Sequence, residues 1–286
     1  AGSPDYTALG VEADGQLVTD VCKVIPQEEL IPLNIKYIDI TDREKTLSII
    51  KKKNPQYVIN TAAYNRVDDA EDHFGEALAV NAVGAQNVAM ACAAADAVLI
   101  HYSTDYVFDG NKFGPYVESD MPAPQTAYGI SKYTGELAVK YLLEKYFIIR
   151  SCGLFGVAGC LGKGGGNFVE KILKKAAAGQ EIKVVSDEMV SPAYTLDLAR
   201  KTYELMLSKK FGLYHIVNHG ECSWFEFAEK IIEYSSKRVK LSSMVSADLR
   251  ARVRRPRNSV LLNSKLAELG LDDLPDWKEA LKNYLM

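Results

Sequence analysis

The chain has 286 residues, with 34 Lys and Arg against 37 Asp and Glu, for a formal charge of −3. That length suits one or two domains with a large core, and the charge balance leaves no broad basic surface for nucleic acid. No unbroken 18-residue apolar run predicts a membrane span. The first residues lack the basic and apolar regions of a secretory signal, and the five cysteines are scattered with no Cys-x2-Cys pair. These features predict a reduced, cytoplasmic protein without a structural metal.

The first predicted element is a weakly apolar strand, Thr7 to Val11, followed by Glu12-Ala13-Asp14-Gly15-Gln16-Leu17-Val18. A dinucleotide-binding turn wants three glycines, for the tight turn, the approach to pyrophosphate and the close helix packing. Gly15 fills one of these places, whereas Glu12 and Val18 fill the others; alone, the segment reads as a polar turn opening a helix. Ile31-Pro32-Leu33 is a short buried strand. Asn34 and Lys36 follow where an NAD site usually presents an acid, which favours either a 2′-phosphate or simply a solvated lysine. In Ile38-Asp39-Ile40-Thr41-Asp42, Thr41 or Asp42 caps a helix, or Asp39 and Ile40 edge an adenine pocket. A helix over Arg43 to Lys53 and a strand over Tyr57 to Thr61 come next. The small residues of Asn60-Thr61-Ala62-Ala63-Tyr64 suit a cofactor lying on backbone, or ordinary close packing.

Glu71 to about Ala95 predicts a helix, Val98 to Ser103 a strand, and Val107 to Thr126 a long loop of the kind that is often functional. Ala127 to Glu144 is the next helix and Tyr146 to Arg150 the next strand. This alternation predicts an α/β fold, a doubly wound parallel sheet of Rossmann type. After Arg150 a glycine-rich loop runs from Gly153 to Gly166. Helices over Asn167 to Ala178, Thr195 to Ser208 and Ser223 to Ser235 follow, with strands at Lys183 to Val185 and Gly212 to Val217. Leu261 to Met286 holds two short helices around Pro275. The expected division is a dinucleotide domain over 1–150 and a smaller, discontinuous substrate domain over 151–286, with 183–208 returning to the first.

Two runs carry the chemistry: Ser103-Thr104-Asp105-Tyr106 and Tyr128-Gly129-Ile130-Ser131-Lys132. Tyr and Lys four apart share a helix face, and an ammonium near a phenol draws its pKa down from about 10 toward working pH. Such a phenol is a suitable general acid, with the Thr104 hydroxyl on the same substrate oxygen. Chance gives about two Tyr-x3-basic pairs in a chain of this composition, and there are four. Tyr141/Lys145, Tyr146/Arg150 and Tyr234/Arg238 read as solvated helix faces or strand ends. Tyr128 opens its helix soon after a strand, where open α/β sheets bind ligands.

Other signals are weaker. Gly162-Lys163 lacks the Walker glycine (Val157) and the following Ser or Thr (Gly164). The cluster Arg252 to Arg257 either grips a diphosphate or is solvated. His215 and His219 lie on a probable strand, which disfavours a metal pair, and Trp224 and Phe225 read as core.

In series, these motifs resemble the dTDP-4-dehydrorhamnose reductase family of extended short-chain dehydrogenases/reductases. The resemblance rests on Asp39-Ile40-Thr41-Asp42, Asn60 to Tyr64, Val67-Asp68-Asp69-Ala70-Glu71, Val80-Asn81-Ala82, Ser103 to Gly110 and Tyr128 to Lys132. It continues through Gly166-Asn167-Phe168, Ser191 to Ala199 and Arg255-Pro256-Arg257-Asn258-Ser259. It implies hydride reduction of the C4 ketone of a dTDP-4-dehydro-6-deoxy sugar to dTDP-L-rhamnose, with NADPH or NADH as donor. It implies Thr104, Tyr128 and Lys132 as the catalytic trio. Gly15, Gln16, Leu17, Asp39, Ile40, Ala62, Ala63, Tyr64 and Asn81 would join Tyr128 and Lys132 at the cofactor. Thr104, Asp105, Tyr106, Asn167 and Arg257 would meet the dTDP-4-keto sugar. A homodimer fits, with no nucleic acid, membrane or metal partner. Two departures stand out: the altered glycine turn, and Cys152-Gly153 where many relatives place a Trp. The alternative is a non-catalytic subunit on the same fold, like the beta regulatory subunit of methionine adenosyltransferase; an epimerase or dehydratase ranks third.

Overall fold

The computed structural model describes residues 7–11, 15–158, 166–249 and 253–286. In the first half, strands and helices alternate as β1 (Ala8–Val11), α1 (Gln16–Val24), β2 (Leu30–Leu33), α2 (Arg43–Lys53), β3 (Tyr57–Asn60), α3 (Phe74–Leu78), α4 (Ala85–Ala95), β4 (Val98–Thr104), α5 (Ala127–Leu142) and β5 (Tyr146–Ser151). Then come β6 (Leu154–Phe155), α6 (Phe168–Ala177), β7 (Ile182–Val185), β8 (Met189–Val190), β9 (Ala193–Tyr194), α7 (Thr195–Ser208) and β10 (Gly212–His215). The chain closes with β11 (Cys222–Ser223), α8 (Trp224–Tyr234), β12 (Leu241–Met244), β13 (Asn258–Ser259), α9 (Ser264–Glu268) and α10 (Trp277–Leu285).

Six strands form one parallel sheet in the order β10-β5-β4-β3-β1-β2. Its strands are apolar along their length because both faces are covered. Ala8, Ile59, Ile100 and Ile149 face one side, with Leu17 and Val21 of α1 and Leu198 and Leu205 of α7. Leu9, Val58, Leu99 and Ile148 face the other, with Ile50 of α2, Val88 of α4 and Val139 of α5. The sheet recruits β10 and α7 from the second half of the chain. Its order reverses between β1 and β3, and a crevice opens at such a switch point.

A second core joins Phe155, Val169, Ile172, Phe227, Trp277 and Leu281 from β6, α6, α8 and α10. Around it lie the three small sheets β11-β8-β13, β12-β7 and β6-β9. Five of these strands are two residues long and have no period to read in the sequence.

The helix expected from Glu71 starts later, at Phe74, after a separate turn over Asp69–Glu71. It runs to Ala95 and contains a π-helical segment, Ala79–Gly84. This helix is long and apolar enough to cross a membrane, yet more than half of its apolar stretch is buried inside the protein. Its alanines let it pack closely between α2 and α5.

Candidate active site

The first turn of α5 is built to approach β4. Thr126 caps the helix, its hydroxyl accepting from Gly129 N at 3.0 Å, and the Ala127 amide donates to Glu71 at 2.9 Å. A side chain on Gly129 would begin 2.2 Å from the Tyr106 carbonyl oxygen, so only glycine lets this turn rest on the Asp105–Val107 turn after β4. The contact sets Tyr106 and Tyr128 edge to face, with ring centroids 5.5 Å apart. One helical turn on, Lys132 is buried, and its ammonium donates to the Tyr102 carbonyl at 2.6 Å. That places the cation at the carboxyl end of β4. The neighbouring His101 imidazole is held neutral, first by burial and second by the charge of Lys132.

Thr104 ends β4. Its hydroxyl lies 2.9 Å from Asp105 Oδ1 and accepts from Tyr106 N at 3.2 Å. Burial pushes the Asp105 carboxyl up, while bonds from Ser259, Thr104 and Cys152 pull it back. Tyr106 accepts from Arg255 Nη1 at 3.4 Å, and Arg255 Nη2 donates to both Asp68 oxygens at 2.6 and 2.9 Å. Burial raises the Tyr106 phenol, against the pull of Arg255. The guanidinium on Tyr106 is therefore that of Arg255; Arg257 is exposed, and its carbonyl holds β8 through Met189 N. Asn167 is the cap of α6, accepting from Glu170 N at 3.0 Å and donating to the Gly156 carbonyl at 2.9 Å. Those bonds place it in the second core's framework.

Five of the predicted cofactor residues, Asp39, Ile40, Ala62, Ala63 and Tyr64, come together at one cavity. Val11, Asp39, Ile40, Ala62, Ala63, Tyr64 and Val80 line one cavity of about 210 Å³. Asp42 caps α2 through Lys45 N at 3.0 Å, and Asp39 and Ile40 line the cavity. Asn34 is spent in its own turn, accepting from Lys36 N at 3.1 Å. Gly15 precedes α1 and gives it no side-chain cap, so the first amides of α1 are the kind of donors that meet a phosphate. Gln16 reaches the Leu154 carbonyl at 3.5 Å. Leu17 and Val18 are buried core side chains. Glu12 lies outside the described residues.

Asn81, in the π segment, clamps the cavity wall to α5. Its Oδ1 accepts from Tyr64 N at 2.9 Å, and its Nδ2 donates to the Tyr64 carbonyl at 3.0 Å and to Ser131 Oγ at 2.9 Å. π segments often mark functional sites. A side chain on Gly135 would begin 2.2 Å from the Asn81 carbonyl, so glycine permits this approach too. Arg150 is no solvated strand end. It pairs with Glu136 of α5 through Nε at 2.8 Å and Nη2 at 2.6 Å, both side chains almost wholly buried. Arg255 and the Glu136–Arg150 pair share the same obscurity in sequence, because partners far apart in the chain leave no spacing signal. Among the described residues, no cluster of His, Cys, Asp and Glu is arranged for a metal ion.

Residues 8–286 match the family described as RmlD substrate binding domain. The chain is 37% identical over 275 residues to the spore coat polysaccharide biosynthesis protein SpsK of Bacillus subtilis, covering 96% of this chain and 94% of that one. It is 33% identical over 286 residues to a dTDP-4-dehydrorhamnose reductase of Aggregatibacter actinomycetemcomitans, covering 95% of each. A crystal structure of dTDP-4-dehydrorhamnose reductase from Bacillus anthracis in complex with NADP superposes with a TM-score of 0.93 at 36% identity, covering 98% of this chain and 99% of that one. A six-stranded parallel sheet, Lys132 bonded near the carboxyl end of its β4, and a match running almost end to end place the chain in the RmlD substrate binding domain family.

Proposed function

We propose that this protein uses NADPH or NADH to reduce the C4 ketone of a dTDP-4-dehydro-6-deoxy sugar, giving dTDP-L-rhamnose. The observation that carries this reading is Tyr128 packed edge to face on Tyr106, just past the end of β4, with Lys132 one helical turn on and bonded to the Tyr102 carbonyl of the same strand. The relatives' names, and the NADP bound by the B. anthracis enzyme, point the same way. The regulatory reading draws no support from them.

A dinucleotide fits the residues present. The cavity wall of Ala62 and Ala63 carries no side chain beyond a methyl, and Asn81 fixes its backbone. Ile40 would meet an adenine face and Asp39 a ribose hydroxyl, with Gly15, Gln16 and Leu17 offering backbone amides to the pyrophosphate. The absence of an acid at Asn34, with Lys36 beside it, suits a 2′-phosphate. When bound, the reduced nicotinamide supplies the hydride.

The chain's own groups do the rest. Tyr128 gives its proton to the oxygen at C4 as that atom becomes an alkoxide. Lys132, anchored on the Tyr102 carbonyl, holds the nicotinamide ribose and keeps a positive charge near the reacting oxygen. Thr104 hydrogen-bonds the same oxygen. Tyr106 and Asp105 line the sugar's side, and Arg255, with Arg257 near it in the chain, suits the diphosphate. The fitting division of labour is cofactor on the six-stranded sheet, α7 and β10 included, and sugar nucleotide on the second core. We place the enzyme in the cytoplasm, as a homodimer without membrane or nucleic-acid partners.

A panel of dTDP- and other nucleotide-linked 4-keto sugars, followed by loss of reduced-cofactor absorbance, tests this. Turnover of the dTDP-4-keto sugar is expected; no oxidation of NADPH or NADH with any member would refute it.

A further inference from the structure

Thr104 and Asp105 pose a question of proton counting. A hydroxyl has one proton and two lone pairs, and an ionised carboxylate only accepts. Thr104 Oγ1 already accepts from the Tyr106 amide at 3.2 Å and lies 2.9 Å from Asp105 Oδ1. Both side chains are enclosed, the residues being 5% and 6% exposed. If Asp105 is a carboxylate, it takes the threonine proton, and Thr104 shows the cleft a lone pair. A lone pair opposes an oxygen that is gaining negative charge, the reverse of what carbonyl reduction needs. If Asp105 is neutral, its O–H fills the second lone pair of Thr104. The threonine proton then has only the cleft to point into.

We propose that Asp105 is a positioning residue, working as a neutral carboxyl that donates to Thr104 and so turns the threonine hydroxyl toward the substrate's carbonyl oxygen as an obligatory donor. The inference rests on the reductase reading above. No proton leaves Asp105 during turnover. The hydride goes from the reduced nicotinamide to the carbonyl carbon, the Tyr128 proton goes to the oxygen, and Thr104 contributes a hydrogen bond alone.

Enclosure is what acts toward the neutral form. Burial is the largest influence on Asp105 and raises its carboxyl; what opposes it is a set of hydrogen bonds from Ser259, Thr104, its own backbone and Cys152. The titratable groups facing it are the Tyr106 phenol on its own turn and the Cys152 thiol just past β5, and Asp105 helps to raise both. From β13 comes only the Ser259 hydroxyl. The charged groups nearby, Arg255 and Glu188, bear on Tyr106.

The test uses the full chain with NADPH and the keto sugar nucleotide. Asp105→Leu, which removes the donor, is expected to lower kcat by about tenfold to hundredfold with little change in KM, somewhat less than removal of a whole oxyanion donor. Asp105→Asn, whose amide N–H can donate to Thr104 as the neutral acid does, should recover most of that loss. Its kcat should also lack the alkaline fall that ionisation of Asp105 gives the unaltered enzyme, while keeping the one due to Tyr128. An Asn variant no better than Leu, or one with the unaltered pH profile, would overturn the proposal. Should either variant fail to fold, aspartate-selective ¹³C spectra of the unaltered holoenzyme read the proton directly. Asp197, the other aspartate raised by burial, is assigned by Asp197→Asn. A protonated Asp105 at neutral pH is expected, and an ionised one refutes the idea. An unaltered enzyme that reduces no keto sugar nucleotide refutes the reductase reading instead, whatever the spectra show.

Discussion

Removing either partner of the Glu136–Arg150 pair should unfold the protein far more easily than removing both. Arg150 is 1% exposed and Glu136 not at all. Glu136 accepts two bonds from Arg150 and one from Ser103 Oγ at 2.6 Å, with Lys140 3.7 Å away. Among the described residues Arg150 Nη1 has no partner even in the intact protein, so they offer the guanidinium no reserve acceptor. Glu136→Leu keeps the side-chain volume, which limits any cavity cost, and strands a buried cation. The expected loss is about 3–5 kcal/mol, and Arg150→Met, which strands the carboxylate, should cost a similar amount. The double variant leaves no buried charge and should lie within about 2 kcal/mol of the unaltered protein, on either side. Urea denaturation with unchanged m values measures all three. Single variants costing under about 1 kcal/mol, or a double variant costing the sum of the singles, would show that the pair is not enclosed and mutually bonded as described.

Acid should weaken the fold through His215, whose imidazole is pushed down to about 3, by burial first and the Arg150 charge second. The folded value lies below the ordinary 6.5, so the unfolded chain binds the extra proton, and stability is lost as pH falls from about 6.5. This one group should remove about 2 kcal/mol by pH 5, and His215→Asn should lessen the acid slope by that amount in denaturation curves; an unchanged slope would contradict it. Asn81→Ala removes three hydrogen bonds and should cost about 3 kcal/mol. Calorimetry should also show weaker NADPH binding, and wild-type affinity would mean that the clamp does not shape the cavity. Gly129→Ala puts a methyl against the Tyr106 carbonyl and should cost about 1–3 kcal/mol together with kcat, since Tyr106 and Tyr128 must separate; full activity would contradict the packing described.

Much of the sheet was legible because buried parallel strands are apolar runs with clear ends. Arg43–Lys53 and Thr195–Ser208 match their expected bounds, each carrying strong local signals. The placement of the candidate catalytic residues on their elements was also legible: Tyr128 and Lys132 lie one turn apart on α5, and Thr104 ends β4. What was not legible depends on contacts between distant segments. Asn167 was expected at the substrate, yet its side chain serves the start of α6, a role its Glu170 partner three residues on could have signalled as a capping box. Within the basic cluster, nothing local distinguishes Arg257 from Arg255; only the pairing of β13 with β8 decides which guanidinium reaches Tyr106 and Asp68. Arg150 looked solvated because its partner is on another element. The contact between Thr104 Oγ1 and Asp105 Oδ1, on its sequence neighbour, is a matter of rotamer, which sequence does not encode.

The turnover of Tyr128→Phe, measured with NADPH and the dTDP-4-keto sugar, bears most directly on the chemistry assigned to this cleft. Loss of the phenolic proton should lower kcat by about 10²–10⁴ while the protein still folds and binds NADPH, and Tyr141→Phe, at a position 88% exposed, should change nothing. Unaltered turnover by Tyr128→Phe would contradict the assignment of Tyr128 as the acid.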